Sequence, residues 1–279
     1  MTEHGSRRGR TAATVGTIAL VAIACGVGTA AAAPARIAFR AQGPSTPDGQ
    51  TFNIFTVRSD GSDLRQVTRG QYDLAPSWSP RHSRLVFGVL QHLVGSIAIV
   101  NADGSHRRTL PHTDDGVAPD WSSKGRIVYV RPYKSGNALF TIRPNGKGFK
   151  RLTGAGRFYS APAWSPNATR IAYVKGNAIF TMRADGSRKR RLIDDGRAPN
   201  WSPDGRRIAF QRGSNVYVAL DNGTNIRRLT GGTRAGLAPA WSPGGTRIAF
   251  GGVGGGIWTM DRDGRDARQI RATGSDADW

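Results

Sequence analysis

Adjacent carboxylates are the residues of this 279-residue chain with the most potential for chemistry. The pairs Asp114-Asp115 and Asp194-Asp195 could divide acid and base roles in a lyase or hydrolase that acts on an anionic sugar. Adjacent residues in a loop seldom face one another, so solvated loop acids are the favoured interpretation. The enzyme stays open as the alternative hypothesis.

The sequence patterns that could bind a metal are even less specific than these carboxylate pairs. Residues 261–266 alternate carboxylates as calcium loops do, but Arg262 and Arg265 intervene and the downstream Glu of such loops is missing. No two histidines have zinc-ligand spacing; they are His4, His82, His92, His106 and His112. The sequence therefore predicts neither a metal site nor a cofactor.

Nucleophilic and phosphate-binding motifs are absent from plausible contexts in the sequence. No Gly-x-Ser-x-Gly turn stands between a predicted strand and a helix. The glycines at 251–256 join two predicted strands, with no helix behind them to hold a phosphate. We therefore expect a non-catalytic protein that works by binding.

A six-fold repeat runs through the chain with a period of roughly 40 residues. Each copy has an Arg, two aliphatic residues and an aromatic ring, and in five copies a tryptophan precedes this motif. The motifs begin at Arg36, Arg84, Arg126, Arg170, Arg207 and Arg247, and the tryptophans are Trp78, Trp121, Trp164, Trp201 and Trp241. The first copy lacks the tryptophan, whereas Trp279 ends the chain with no motif after it. Because an open solenoid has no need to match its ends, this arrangement indicates a closed ring.

Four short apolar stretches alternate with turn residues inside each copy. In one copy they are residues 198–201, 207–210, 216–219 and 228–230, with Ser202-Pro203-Asp204-Gly205 and Asn222-Gly223 between them. Such turn residues favour hairpins, and no stretch has the 3.6-residue period of a helix. Each copy is therefore predicted to form a four-stranded antiparallel meander, whose strands we call A to D.

We predict an all-β fold, a six-bladed β-propeller of four-stranded antiparallel blades stacked face to face. Strands B, C and D of the first blade would come from residues 35–41, 52–57 and 65–69. Its innermost strand A can only come from residues 276–279. The C-terminal strand thus pairs with the N-terminal blade and closes the ring.

The first 33 residues have the pattern of a secretory signal. Arg7, Arg8 and Arg10 precede an apolar run at 11–24 and an Ala-rich stretch at 30–33. We expect residues 34–279 to form a single propeller domain that is secreted, periplasmic or bound to the cell envelope. Cys25 lies in a loose lipoprotein-type sequence, so a lipid on Cys25 is the second possibility. The apolar run is shorter than the ~20 residues of a membrane span, so contact with a membrane is expected only through that lipid.

The formal net charge of +21 favours an anionic partner. Because strands alternate in direction, the starts of strands B and D share one rim with the A–B and C–D turns. We call this the basic rim, and its predicted members are Arg84, Arg126, Arg170, Arg207, Arg247, Arg190 and Arg227. Codon usage in a GC-rich genome would also enrich Arg, and this alternative stays open.

The D–A loops on the opposite rim surround one mouth of the central channel. Loops at one end of a rigid ring are where propellers bind. We predict partner contacts at Tyr72, Asp73, Asp115, Phe158, Tyr159, Asp195 and Arg234. The predicted partner of this monomer is an envelope protein or an anionic polymer, and nucleic acid is disfavoured because export removes the protein from the chromosome.

Four motifs that recur in order resemble the TolB-type (WD-like) propeller repeat. Within one copy Trp201-Ser-Pro-Asp-Gly is followed by Arg206-Arg-Ile-Ala-Phe and then by Arg228-Leu-Thr, and another copy has Ile179-Phe-Thr-Met before Asp185-Gly. The resemblance covers residues from about 35 to 279. It implies a six-bladed exported propeller that binds envelope proteins through its channel face. The N-terminal α/β domain of the family's namesake has no counterpart in this sequence, so a role in transport is not predicted.

Overall fold

Twenty-four strands form six four-stranded sheets in the computed structural model, which describes residues 35–44, 49–70, 72–91, 94–133, 136–155, 158–232 and 235–279. Each sheet is an antiparallel meander, and we number the blades from the N-terminus. This architecture confirms the predicted all-β six-bladed propeller. The described part of the chain contains no helix with the length and apolar character that a membrane span would need.

The strands follow one another in sequence order except in blade 1. Blade 1 contains β1 (Arg36–Gln42), β2 (Phe52–Arg58) and β3 (Arg65–Gln66). Blade 2 has β4 (Asp73–Trp78), β5 (Arg84–Gln91), β6 (Val94–Asn101) and β7 (Arg108–Thr109), and blade 3 has β8 (Val117–Trp121), β9 (Ile127–Tyr133), β10 (Gly136–Ile142) and β11 (Lys150–Arg151). Blade 4 has β12 (Tyr159–Trp164), β13 (Arg170–Lys175), β14 (Ala178–Arg183) and β15 (Arg190–Ile193), and blade 5 has β16 (Arg197–Trp201), β17 (Arg207–Arg212), β18 (Asn215–Leu220) and β19 (Arg227–Arg228). Blade 6 has β20 (Gly236–Trp241), β21 (Arg247–Gly252), β22 (Ile257–Asp261) and β23 (Arg268–Arg271), and β24 (Ser275–Asp278) returns to blade 1.

The ring closes through β24, which supplies the innermost strand of blade 1. Ala38 pairs with Asp278 and Arg40 with Ser275 in an antiparallel register. Trp279 follows this strand and is only 8% exposed, packed in the cluster that contains Phe39. The predicted closure of the ring by the last residues is therefore confirmed.

The hydrophobic core is divided into layers between neighbouring blades. On strand B of blade 1, Phe39 packs with Ile257 of blade 6, whereas Ala38 packs with Leu85 of blade 2. Side chains alternate between the two faces of a strand, so one short strand contributes to two layers. Burying one large apolar side chain is worth about 1.5–3 kcal/mol, and each layer contains several.

Glycines in the C–D turns allow the blades to approach closely. Gly104 and Gly223 have φ values of 89° and 88°, in the region that side chains rarely adopt. A Cβ atom on Gly104 would lie 2.7 Å from the main-chain oxygen of Val67, and one on Gly223 would lie 2.3 Å from that of Leu192. Each turn thus rests against strand D of the preceding blade, which requires the Asp-Gly and Asn-Gly pairs of the sequence.

The predicted secretory signal at 1–33 and Cys25 lie outside the described residues. The division of the chain into a signal and a propeller domain therefore stays a prediction.

Candidate functional site

The innermost strands surround a central channel, and each of them carries a β-bulge. The bulge is marked by a residue with positive φ between 42° and 53°, which is Ala75, Ala118, Ala161, Ala198, Ala238 or Asp276. The five alanines precede proline, for which a left-handed conformation is disfavoured. Proline is tolerated there because this strand is the free edge of its sheet, where no ladder partner is needed. Ala-Pro pairs consequently line a cavity of about 230 Å³ on the axis.

The residue before each tryptophan lies next to this bulge, and in five of the six blades it lines the cavity. We call the six residues at this position the inner ring; they are Ser77, Asp120, Ala163, Asn200, Ala240 and Asp278, of which Ala240 is not part of the cavity lining. Four of them accept a hydrogen bond from the main-chain N–H of the tryptophan in the next blade. The acceptors are Asp278 for Trp78 at 2.8 Å, Ser77 for Trp121 at 3.2 Å, Asp120 for Trp164 at 2.6 Å and Asn200 for Trp241 at 2.8 Å. The polar inner ring therefore links consecutive blades around the axis.

Two links are missing, because Ala163 and Ala240 have no acceptor in their side chains. We expect Ala163→Ser to raise the melting temperature by roughly 2–4 °C, since a new bond to the N–H of Trp201 would add about 1 kcal/mol. Ser77 shows that a serine hydroxyl can accept this bond. Differential scanning calorimetry would measure the change, with Ala163→Val as the control that fills space without an acceptor. An equal gain in the Val variant would show that packing, and not the hydrogen bond, is responsible.

The carboxylates of the inner ring are held in an unfavourable environment. Burial and, to a lesser extent, the nearby charge of Asp120 raise the pKa of Asp278 to about 7, against the opposing effect of hydrogen bonds from the N–H groups of Trp78 and Trp279. Burial also raises the pKa of Asp120. Both residues are half-buried and line the central cavity, so channel water weakens the effect of burial on these pKa values. Burial also raises the pKa of Asp276, and the 3.2 Å ion pair with Arg40 partly offsets this shift.

The inner ring was not among the functional residues predicted from the sequence. The predicted acids belong to the D–A loops, whereas Asp120, Asp276 and Asp278 are the acids that line the cavity among the residues described. A usable signal was present, because every inner-ring residue directly precedes a repeat tryptophan.

The predicted mouth residues divide into exposed and buried groups. Phe158 is 71% exposed, and Tyr72 is 36% exposed with its ring 5.9 Å from that of Phe52. Asp73 is fully buried, and both of its carboxylate oxygens accept hydrogen bonds from Arg107 at 2.7 and 2.9 Å. Tyr159 is also buried, at 7% exposure. A partner could therefore reach Phe158 and Tyr72 but not the side chains of Asp73 and Tyr159.

Asp115 and Asp195 are exposed and occupy turns, both with positive φ. Arg212 donates hydrogen bonds to the main-chain oxygens of Asp194 and Asp195 at 2.7 and 3.0 Å, which fixes that D–A loop. Arg234 lies outside the described residues. Among the residues described, no three His, Cys, Asp or Glu side chains are grouped as metal ligands would be.

Most arginines of the basic rim are engaged within the ring. Strand-D side chains donate to main-chain oxygens in the C–D turn of the next blade: Arg108 to Pro144, Lys150 to Asp185, Arg190 to Asn222 and Arg227 to Asp263. Arginines of strand B lie over tryptophans of the next blade, with Arg84 5.2 Å from the ring centre of Trp121 and Arg170 4.5 Å from that of Trp201. Arg126 donates to Thr141 and Gly148, Arg207 is 4.0 Å from Asp204, and Arg247 forms ion pairs with Asp261 and Asp266. Their first role is to connect and order the blades.

The 261–266 segment forms the hairpin turn of blade 6. Asp261 and Asp266 are each 3.2 Å from Arg247, and Asp263 pairs with Arg265 at 3.4 Å. These carboxylates are therefore neutralised by arginine.

Comparison with known proteins supports the TolB-type repeat. No family model matches the sequence. A TolB homologue of Chlorobium luteolum is 28% identical over 122 residues, a segment that spans 43% of this chain and 28% of that protein. The structure of TolB from Acinetobacter baumannii superimposes with a TM-score of 0.74 at 19% identity, covering 88% of this chain and 66% of that one. These matches confirm the resemblance to the TolB-type propeller.

A second structural neighbour is an enzyme. The structure of an oligogalacturonate lyase in complex with manganese superimposes with a TM-score of 0.54 at 14% identity, covering 80% of this chain and 71% of that one. Identity at this level reflects the shared fold alone.

Proposed function

We propose that this TolB-type propeller is an exported, non-catalytic protein that binds a protein of the cell envelope. The binding surface is the mouth face, by which we mean the rim of D–A loops and B–C hairpins. Its exposed aromatic side chains carry the proposal, above all Phe158, which is 71% exposed at the start of strand A in blade 4. Large aromatic side chains are enriched among the residues that anchor protein partners.

The distribution of exposed apolar residues supports the mouth face over the basic rim. Five of the eight large apolar residues that are exposed in the described ranges lie on the mouth face; they are Tyr72, Val94, Tyr133, Phe158 and Val253. The other three, Leu64, Phe149 and Ile226, lie beside C–D turns. The arginines of the basic rim are mostly committed to contacts within the ring, as described above. The mouth face thus offers the larger free apolar surface.

Affinity capture from an envelope extract tests this proposal. We expect the wild-type protein to retain a protein partner at both low and high salt, because apolar contacts are not screened by ions. Replacing Phe158 with Asp should weaken binding roughly 30-fold, the effect of losing about 2 kcal/mol at a central aromatic contact.

Ile226→Asp is the matched control, since Ile226 is an apolar residue with 41% exposure on the opposite rim. Equal loss in the two variants, or a capture that disappears at high salt, would contradict binding at the mouth face. Mass spectrometry of the mature N-terminus tests export separately and distinguishes cleavage near residue 33 from a lipid on Cys25.

The second candidate is an enzyme that acts on an acidic polysaccharide, because adjacent acids are exposed on the mouth face. Its acids would be Asp114, Asp115, Asp194 and Asp195, which lie in exposed turns of the mouth face. Turnover of oligogalacturonate that is abolished by Asp195→Ala would establish this function in place of the first.

A further inference from the structure

One position of the C–D turn lies close to the first arginine of strand B and, when it is acidic, supplies that arginine with a partner within its own blade. It lies two residues before strand D and has positive φ in every blade; its occupants are Asp63, His106, Gly148, Arg188, Asn225 and Asp266. Asp63 pairs with Arg36 at 2.7 Å, and Asp266 pairs with Arg247 at 3.2 Å. In blades 1 and 6 an acid at this position therefore neutralises the first arginine of strand B.

Blade 4 reverses the charge at this position. Arg188 replaces the acid and is held at a φ of 49°, where Asn and Asp are better tolerated. Arg170, the first residue of strand B, turns away and pairs with Asp221 of blade 5 at 2.8 Å.

Arg188 lines an open basic groove on the rim of blade 4, with a volume of about 740 Å³. Five basic side chains and one acidic side chain line it: Lys124, Arg170, Arg183, Arg188 and Arg190 against Asp185. Asp185 supplies a single negative charge, which acts on Arg183 among others, and its carboxylate accepts hydrogen bonds from the N–H and hydroxyl of Ser187 at 2.8 Å and 2.6 Å. The groove therefore has a local excess of positive charge that its own acid does not balance.

Three of these cations are available to a ligand. Lys124, Arg183 and Arg188 are exposed, and no side-chain hydrogen bond or ion pair within the described ranges engages them. Lys124 reaches the groove from the A–B turn of blade 3. The equivalent residues Asn167 and Asp204 instead accept hydrogen bonds that cap their own turns. Lys124 and Arg188, from the turns of two neighbouring blades, thus lie on one groove.

We propose that this groove binds a ligand that carries phosphate groups. Arginine forks match the oxygens of phosphate, and several cations in one groove favour a group with more than one negative charge over a single carboxylate. An anionic lipid headgroup and a soluble phosphate polymer share this chemistry. The site lies on the basic rim, so it is independent of binding at the mouth face.

Titration calorimetry with inorganic tripolyphosphate tests the groove. We expect binding that weakens as salt is raised from about 50 to 200 mM. Arg188→Asp should weaken this binding at least tenfold, because the substitution removes a free cation and introduces the acid that blades 1 and 6 have at the same position. Its melting temperature should stay unchanged or rise, since Asp suits the backbone at this position, and this separates loss of binding from loss of fold.

Arg265→Asp in the C–D turn of blade 6 is the matched control, with the same change in net charge on the same rim. Sedimentation with phosphatidylglycerol vesicles, and with phosphatidylcholine vesicles as a blank, distinguishes the two phosphate sources. Binding to either probe that Arg188→Asp weakens and Arg265→Asp spares supports the proposal. An equal loss in both variants, or no binding to tripolyphosphate or to anionic vesicles, would overturn it.

Discussion

Deleting residues 275–279 should open the ring and lower the melting temperature by roughly 10–20 °C. The deletion removes β24, leaves the inner edge of β1 without its neighbour and exposes the layer around Phe39. Loss of one buried Trp side chain alone costs about 3–5 kcal/mol, and each kcal/mol corresponds to about 2–4 °C in a domain of this size. The truncation also removes the acceptor of the Trp78 N–H.

Thermal unfolding followed by circular dichroism would measure this effect. The truncation should be this damaging only if residues 275–279 complete the sheet of blade 1. Trp279→Ala separates the loss of the tryptophan side chain from the loss of the strand. We expect it to cost about half as much as the full truncation, because β24 and its ladder would remain. A melting curve unaffected by the truncation would rule out the proposed closure.

Replacing Asp278 with Asn should stabilise the protein at alkaline pH and have little effect in mild acid. In the folded protein the pKa of Asp278 is about 7, whereas an unfolded Asp ionises near 4. Between these values the folded state holds a proton that the unfolded state has released. The stability that this proton provides is complete below about pH 4 and is lost as the pH rises to about 7.

The expected gain follows from the size of this shift. A change of about three pKa units corresponds to roughly 4 kcal/mol, which channel water reduces to roughly 2–4 kcal/mol. The Asn variant should therefore melt about 5–10 °C above wild type at pH 8, with a difference near zero at pH 4. Asn200 shows that an amide at the equivalent position of blade 5 accepts the bond from Trp241.

Asp60→Asn provides a control that should change the melting temperature at pH 8 in the opposite direction. Hydrogen bonds from Ser62 lower the pKa of Asp60, so its contribution to stability is present above pH 4 and lost in acid. The Asp60 variant should melt below wild type at pH 8. If the difference between Asp278→Asn and wild type does not depend on pH, the carboxylate of Asp278 is not buried against Asp120 as the structure shows.

The sequence was sufficient to predict the ring and its closure. Trp279 has no motif after it and Arg36 has no tryptophan before it, which a circular array explains, and the structure pairs these two segments. The hairpin turns could also be predicted, because Asp-Gly and Asn-Gly pairs have few other stable conformations.

The repeat tryptophans mark the positions of the inner ring, but the role of those positions could not be predicted from the sequence. Its members range from Ala163 to Asp278, so no common chemistry marks them, and their role depends on a bulge at Ala-Pro. A left-handed alanine before proline is disfavoured locally and arises only because the ring imposes it.

From the sequence the arginines are predicted to lie on one rim, but the contacts that each of them makes could not be predicted. Whether Arg227 meets a ligand or the main-chain oxygen of Asp263 depends on how closely consecutive blades pack. Likewise Asp73 belongs to the start of a strand and pairs with Arg107, although its sequence context is that of a loop acid.

Cross-linking across the closure tests the central claim of a closed ring most directly. Arg40 and Ser275 are paired on adjacent strands, although 235 residues separate them in the chain. In a protein with Cys25 replaced by Ser, we expect the double variant Arg40→Cys, Ser275→Cys to form an intramolecular disulfide under mild oxidation, detected by mass spectrometry of the joined peptides. Thiols that stay free, or that join only separate molecules, would contradict the closed six-bladed ring.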